Sequence, residues 1–384
     1  MNDIKAATTK TTCPYCGVGC GVLASVDELG VVSVMGDPEH PANFGRLCSK
    51  GTALGETVYL QDRLLYPEIK GEQVSWDQAL STVSGRFSEI IEEYGADAVA
   101  FYVSGQLLTE DYYVANKLMK GFIGSANIDT NSRLCMSSAV AAYKRAFGED
   151  CVPCSYDDLD KANLIVLTGS NVAWCHPILF QQIIRAKQAN PQLKVINIDP
   201  RETQTSSAAD IQLSLKPGTD AILFNGLLNF LKESDIENSF FTENCTSGID
   251  EALQAAKEST PSIMSVAAQC ALKEDDVSEL YNLFANTEKV VTVFSQGINQ
   301  SSSGVDKGNA NAGSTNGVRF SPIAHARTME LLDFIAMYPD LSPKEQKTVY
   351  KEIAQALAND NNDLKLRIQK AAIHALPNSE IRDA

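Results

Sequence analysis

Four cysteines near the start of the chain have the types and spacing to do chemistry: Cys13-Pro14-Tyr15-Cys16-Gly17-Val18-Gly19-Cys20, then Gly45-Arg46-Leu47-Cys48-Ser49-Lys50-Gly51. The pattern is C-x2-C-x3-C-x27-C. Four thiolates make a soft ligand set, suited to a tetrahedral structural zinc or to an iron–sulfur cluster. Two CxxC pairs would favour zinc. Here three ligands share one tight loop, with Gly17 and Gly19 letting the backbone fold around a bulky group, and the fourth arrives from a distant turn. A [4Fe–4S] cluster is the expected occupant; zinc or unligated thiols are the alternatives.

A fifth cysteine stands in Asn131-Ser132-Arg133-Leu134-Cys135-Met136-Ser137-Ser138. It sits beside an arginine, after a glycine-containing turn (Gly121 to Gly124) and at a helix start, which poises it to be a thiolate. An inert buried cysteine fits the same residues.

Three further segments combine small polar and charged residues where strands should end. Thr168-Gly169-Ser170-Asn171 would feed a helix N-terminus, a setting that suits a pyrophosphate. In Asp199-Pro200-Arg201-Glu202-Thr203 a carboxylate could hold ribose hydroxyls and Arg201 could meet a phosphate. In Lys216-Pro217-Gly218-Thr219-Asp220 a carboxylate could accept both donor hydrogens of a guanine edge. Each alone reads equally as an ordinary strand-to-helix turn. Together they favour a nucleotide-bearing ligand. No GxGxxG fingerprint or Walker loop is present, so neither a standard NAD site nor an ATPase is supported.

The elements that must position these residues alternate along the chain. Short strands are predicted at 21–26 and 31–34, within a cysteine-rich unit of residues 1 to 62. A helix is predicted over 76–94, opening after Ser75 as N-cap, then a strand at 98–103 and a helix at 108–121. Apolar runs of buried-strand type follow at 163–168, 194–199, 211–215 and 289–294. Between them come helices at 177–189, with Pro177 in the first turn, at 219–233 and near 250–286. Strands alternating with helices predict an α/β fold with a doubly wound parallel sheet, whose ligands lie beyond the carboxyl ends of the strands.

The bulk properties narrow the function classes. The chain has 384 residues, 44% hydrophobic and 21% charged, which reads as globular. No apolar run reaches the length of a membrane helix, and the twelve residues before Cys13 show no export signal, so the cytoplasm is the expected location. Ten cysteines in that setting point to metal ligation rather than disulfides. A net charge of −16 argues against a nucleic-acid partner.

With the cluster motif, the Cys135 segment and the three strand-end turns in this order, the chain from about residue 11 to about residue 307 resembles the molybdopterin oxidoreductases. Within them it looks most like cytoplasmic assimilatory nitrate reductases. The resemblance implies a [4Fe–4S] cluster on Cys13, Cys16, Cys20 and Cys48, with Lys50 between cluster and pterin. It implies a bis(molybdopterin guanine dinucleotide) cofactor whose molybdenum is bound by Cys135. Gln106, Asn131, Gly169, Ser170, Asn171, Asp199, Arg201, Gly218, Asp220, Gly297 and Gln300 would line the cofactor channel. The implied reaction is nitrate reduction to nitrite by oxygen-atom transfer. Electrons would come from ferredoxin, flavodoxin or a flavoprotein, because a single cluster accepts them one at a time. Formate dehydrogenases are similar too, but they typically follow the metal-binding residue with histidine, where this chain has Met136. An iron–sulfur electron-transfer fragment without enzymatic activity is the alternative of a different class.

Past Lys307 the composition shifts. Residues 308 to 384 hold nine basic and nine acidic side chains, so the whole charge excess lies upstream. Residues 308 to 324 read as a linker rich in Gly, Asn and Ser, and 325 to 384 as a short all-α tail of three amphipathic helices. The resemblance implies further α/β structure and a cofactor-covering barrel at that place. Without them, cofactor binding and turnover are expected to be impaired.

Overall fold

A computed structural model describes residues 8–236, 242–244 and 246–316. They form two compact units. One takes the chain up to Cys151, Tyr156–Ala221 and Val290–Asn309; the other takes Val152–Ser155, Ile222–Lys289 and the residues from Ala310. The expected helical tail at 325 to 384 lies outside the described residues.

The first unit opens with three antiparallel strands, β1 (Thr8–Thr12), β2 (Gly21–Val26) and β3 (Val32–Gly36), in the order β1-β2-β3. The register pairs Thr12 with Gly21 and Val22 with Gly36. A small hairpin, β4 (Glu68–Ile69) and β5 (Glu72–Gln73), precedes the helix Trp76–Tyr94. That helix starts where the sequence places it: the Ser75 hydroxyl accepts from the Gln78 N–H across 3.2 Å. Next come β6 (Phe101–Val103) and β7 (Ile128–Thr130), a parallel pair. The predicted helix 108–121 is α-helical over Thr109–Asn116 and continues as a π-helical segment, Lys117–Ile123.

The sheet that organises the site is parallel throughout. It contains β8 (Leu164–Thr168), β9 (Lys194–Ile198), β10 (Ile211–Leu213) and β11 (Val290–Phe294), in the order β10-β9-β8-β11. All five residues of β8 are fully buried, as an apolar run in a sheet covered on both faces should be. Burying a Leu, Ile or Val side chain contributes about 2 kcal/mol each. Pro177 opens the helix Pro177–Ala189 between β8 and β9, where its missing N–H costs no hydrogen bond. The connection from β8 leads to β9 on one side, while β11 arrives on the other. The gap between the ends of β8 and β11 is therefore a topological switch point, the usual ligand crevice of such sheets.

The second unit is helical. Its main helices run from Ile222 to Glu233 and over Ile249–Ser259, Ile263–Cys270 and Glu274–Asn286, so the stretch expected near 250–286 is three helices. The buried Tyr281 hydroxyl donates to the Leu223 carbonyl, 2.6 Å away.

The structure corrects one boundary. The expected linker at 308 begins inside a helix, Gly304–Asn316. Glycine there permits close packing: a Cβ on Gly308 would come within 2.8 Å of Ala142, on the helix Ser132–Phe147. Tertiary contact overrides the weak local propensity of the Gly- and Asn-rich sequence. Among the described residues, no helix is long and apolar enough to cross a membrane.

Candidate functional site

The cysteine loop is a product of strand pairing. Cys13 directly follows β1 and Cys20 directly precedes β2, so the ladder closes the loop, and the Cys13 N–H donates to the Cys20 carbonyl across 2.8 Å. Inside it, the Gly19 N–H turns back to the Cys16 carbonyl at 3.1 Å, with Gly19 at φ +61°, a conformation that favours glycine. Cys48 arrives at the start of the short helix Ser49–Thr52. Its turn is held by Asn43, which is fully buried. The Asn43 Oδ1 accepts from the Gly21 N–H at 2.9 Å, and its Nδ2 donates to the Gly21 carbonyl at 3.0 Å and the Arg46 carbonyl at 2.8 Å. One side chain thus fastens the strand after Cys20 to the turn before Cys48.

The thiols sense one another. Burial pushes the Cys20 thiol up to about 11, and charge on Cys13, Cys16 and Cys48 adds to the rise. Burial also raises Cys13. Its Tyr15 backbone partner pulls the other way, charge on Cys48 and Cys16 adds to the rise, and Lys50 opposes it. All four cysteines therefore share one neighbourhood, with Lys50 within electrostatic reach. Among the described residues, no three His, Cys, Asp or Glu side chains form a site for a single metal ion. A set of four thiols, two of them buried, fits the donor chemistry of an iron–sulfur cluster.

This loop is seated on the α/β body. Cys13, Cys20 and Val22 cluster with Ile178, in the first turn of the helix that follows β8, and Gln181 on the same helix donates to the Leu47 carbonyl at 3.1 Å. Gly17 faces the Leu107 carbonyl, which a Cβ would approach to 3.3 Å. The exposed Gln106 thus lies beside the cysteine loop in the chain's own packing.

Cys135 lies in the first turn of the helix Ser132–Phe147 and is half-buried. Asn131 precedes that helix without capping it. Its Oδ1 instead accepts from the Gly105 N–H at 2.7 Å, tying the Gln106 loop to the helix start. From the far side, the Gln300 Nε2 donates to the Cys135 Sγ at 3.0 Å, and the Asn299 Nδ2 to the Cys135 carbonyl at 3.3 Å. The helix is held against the β11 end by the Tyr143 and Phe294 rings, 5.7 Å apart, and by the Arg145–Asp306 ion pair at 2.7 Å. Asn299 is buried, and among the described residues its Oδ1 has no hydrogen-bond partner.

The predicted nucleotide turns converge on the switch point. Gly169 and Gly297 meet backbone to backbone: the Gly297 N–H donates to the Gly169 carbonyl at 2.9 Å, and a Cβ on Gly297 would lie 2.5 Å from that oxygen. The Ser170 and Ser295 hydroxyls pair at 2.7 Å. The Asn171 Oδ1 accepts from the buried Thr205 hydroxyl at 2.8 Å. Asp199 is nearly buried and accepts from the Arg201 N–H at 2.9 Å, while Arg201 itself is exposed. Gly218, at φ +95°, forms the turn that delivers Asp220 to the first position of the helix Asp220–Glu233. The Asp220 carboxylate pairs with the Lys307 ammonium at 2.8 Å, both buried. Sequence reasoning did not single out Asn43, Lys307, Asn299 or Thr205. Only Asn299 carried a signal, as part of the Gly297-Ile298-Asn299-Gln300 turn.

Comparison with known proteins agrees with this arrangement. Residues 6–60 match the molybdopterin oxidoreductase Fe4S4 domain, and residues 63–375 match the molybdopterin oxidoreductase family, so the family match runs past residue 307, the expected end of the resemblance. A nitrate reductase of Klebsiella oxytoca is 55% identical over 302 residues, 79% of this chain and 34% of that protein. A nitrate reductase of Shewanella frigidimarina is 45% identical over 313 residues, 79% of this chain and 33% of that protein. The chain thus spans about a third of the length of these curated relatives. Among solved structures, acetylene hydratase from Pelobacter acetylenicus superposes with a TM-score of 0.64 at 23% identity, covering 80% of this chain and 43% of that one, a likeness of fold. An Fe4S4 domain followed by a parallel sheet with its polar turns gathered at the switch point, matched over most of its length, makes this chain a member of the molybdopterin oxidoreductase family.

Proposed function

We infer that this chain carries the cluster- and cofactor-binding machinery of a nitrate reductase, a molybdenum enzyme that reduces nitrate to nitrite. The observation that carries the reading is the Gln300–Cys135 contact. It joins the Cys135 thiol to the turn after β11, which itself contacts the turn after β8, and this supports a cofactor site at the switch point. The relatives named as nitrate reductases support the choice of substrate.

In this reading Cys13, Cys16, Cys20 and Cys48 hold a [4Fe–4S] cluster, with Lys50 beside it. Cys135 ligates molybdenum, and Gln300 and Asn299 fix the position of its sulfur and backbone. Gly169 and Gly297, lacking side chains, let the turns after β8 and β11 meet backbone to backbone, which fixes the floor on which the pterin groups would sit. Gln106 and Asn131 form the wall between cluster and metal. Ser170, Asn171, Asp199, Arg201, Gly218 and Asp220 bind the phosphate, ribose and guanine parts of a bis(molybdopterin guanine dinucleotide) cofactor. When bound, that cofactor supplies oxygen-atom transfer and two-electron redox chemistry, and the protein supplies position and potential. The role is assimilatory and cytoplasmic, with ferredoxin, flavodoxin or a flavoprotein as one-electron donor.

The test is turnover of the anaerobically purified chain with reduced methyl viologen. The expected result is weak nitrite formation from nitrate, in keeping with the impaired turnover expected above, with no viologen reduction by formate. Formate oxidation without nitrate reduction would assign the site to the other chemistry. A chain that carries iron and no molybdenum would be an electron-transfer module instead.

A further inference from the structure

Lys307 and Asp220 form a buried ion pair within the first unit. Lys307 is 4% exposed and Asp220 5%, with their charged atoms 2.8 Å apart. Burying two charges is costly, and a well-packed apolar pair commonly serves stability as well or better. Asp220 is not short of other support, since it stands at the first position of a helix, where the dipole favours an anion. The turn before it is built for presentation. Gly218 adopts φ +95°, and the Thr219 hydroxyl donates to the Lys216 carbonyl at 2.7 Å.

A carboxylate offers about four lone-pair sites. Lys307 engages one oxygen, Oδ2. The remaining sites can accept the ring N–H and the exocyclic amino group of a guanine, which lie side by side on that base.

We propose that Lys307 is a positioning residue, which orients the Asp220 carboxylate so that the 216–220 turn selects guanine over other bases. The proposal rests on the guanine dinucleotide reading of the site. It adds a residue far along the chain to a recognition turn that the sequence shows only locally.

The experiment titrates the full 384-residue chain, prepared free of cofactor, with guanosine diphosphate and with inosine diphosphate, which lacks the exocyclic amino group. The unmodified chain is expected to favour the guanine nucleotide by about tenfold or more, the discrimination of a good bidentate contact. Lys307→Met is expected to bring the two affinities within about twofold, and Lys307→Arg to restore most of the preference. A merely structural lysine would lower both affinities together and leave their ratio unchanged. Circular dichroism checks folding; if Lys307→Met does not fold, the same ratio measured on Lys307→Gln decides. A folded variant that keeps the full preference overturns the proposal and leaves the guanine reading standing. An unmodified chain with no preference overturns the guanine reading, and the proposal with it.

Discussion

The Gln300 side-chain amide donates to the Cys135 sulfur across 3.0 Å, joining residues 165 positions apart in the chain. The same amide nitrogen lies 3.4 Å from the Cys135 carbonyl, so one side chain fixes both the sulfur and the backbone of the first helical turn. Partners of this kind orient a metal ligand and tune its donor strength.

Replacing that amide is expected to loosen the metal site and spare the cluster. Gln300→Leu should lower molybdenum occupancy or nitrate turnover by about tenfold to a hundredfold, with the iron–sulfur spectrum unchanged. Metal analysis with electron paramagnetic resonance checks both arms. Unchanged occupancy and turnover would remove Gln300 from the site.

Asn43→Ala should damage the cluster domain. It deletes three hydrogen bonds at a fully buried position and strands the Gly21 and Arg46 backbone groups. The expected loss is about 3 kcal/mol or more of stability, with faster iron loss on anaerobic gel filtration. Thermal melting and iron content test this, and an Asn43→Ala protein that melts and holds iron like the parent would contradict it.

These two contacts show where the sequence stops being legible. The buried strands β8, β9 and β11 announce themselves as apolar runs, and Pro177 marks its helix start, because those signals are local. The cysteine spacing is local in the same sense. The partners of Cys135 and Asp220 are not, since they come from the end of β11 and from the helix Gly304–Asn316. No periodicity points from Cys135 to Gln300, or from Asp220 to Lys307. The linker expected at 308 failed for that reason: its Gly- and Asn-rich composition hides packing against Ala142. β1 escaped notice because all five of its residues are exposed and polar or charged, leaving no alternation to read.

The cluster cysteines should differ in reactivity before a cluster is assembled. Cys20 is buried with a thiol pushed up to about 11, whereas Cys16 and Cys48 are half-buried. Only the thiolate alkylates readily. Brief iodoacetamide treatment of the cluster-free chain at pH 8 should label Cys16 and Cys48 ahead of Cys20, as read by peptide mass spectrometry. Earliest labelling at Cys20 would show that the loop is not closed as described.

Partial desolvation lowers the His176 imidazole from its ordinary value of 6.5, although the side chain keeps an exposed surface that makes the effect small. The unfolded chain therefore takes up this proton first as the pH falls. His176 should cost no stability above about pH 7 and should destabilise progressively below about pH 6.5, until the folded-state imidazole protonates as well. His176→Gln is expected to flatten that part of the melting-temperature profile. Parallel profiles for the two proteins between pH 5 and 7 would refute the assignment.

The most direct test of the account is the metal content of Cys135→Ser, purified anaerobically beside the parent from cells supplied with molybdenum. The parent is expected to hold about four iron and four sulfide on Cys13, Cys16, Cys20 and Cys48, with molybdenum on Cys135 at partial occupancy, in keeping with the impaired cofactor binding expected above. The variant should keep the iron and its spectrum and lose the molybdenum together with nitrate reduction. Loss of the cluster from a folded variant, or molybdenum and turnover equal to the parent, would contradict the account.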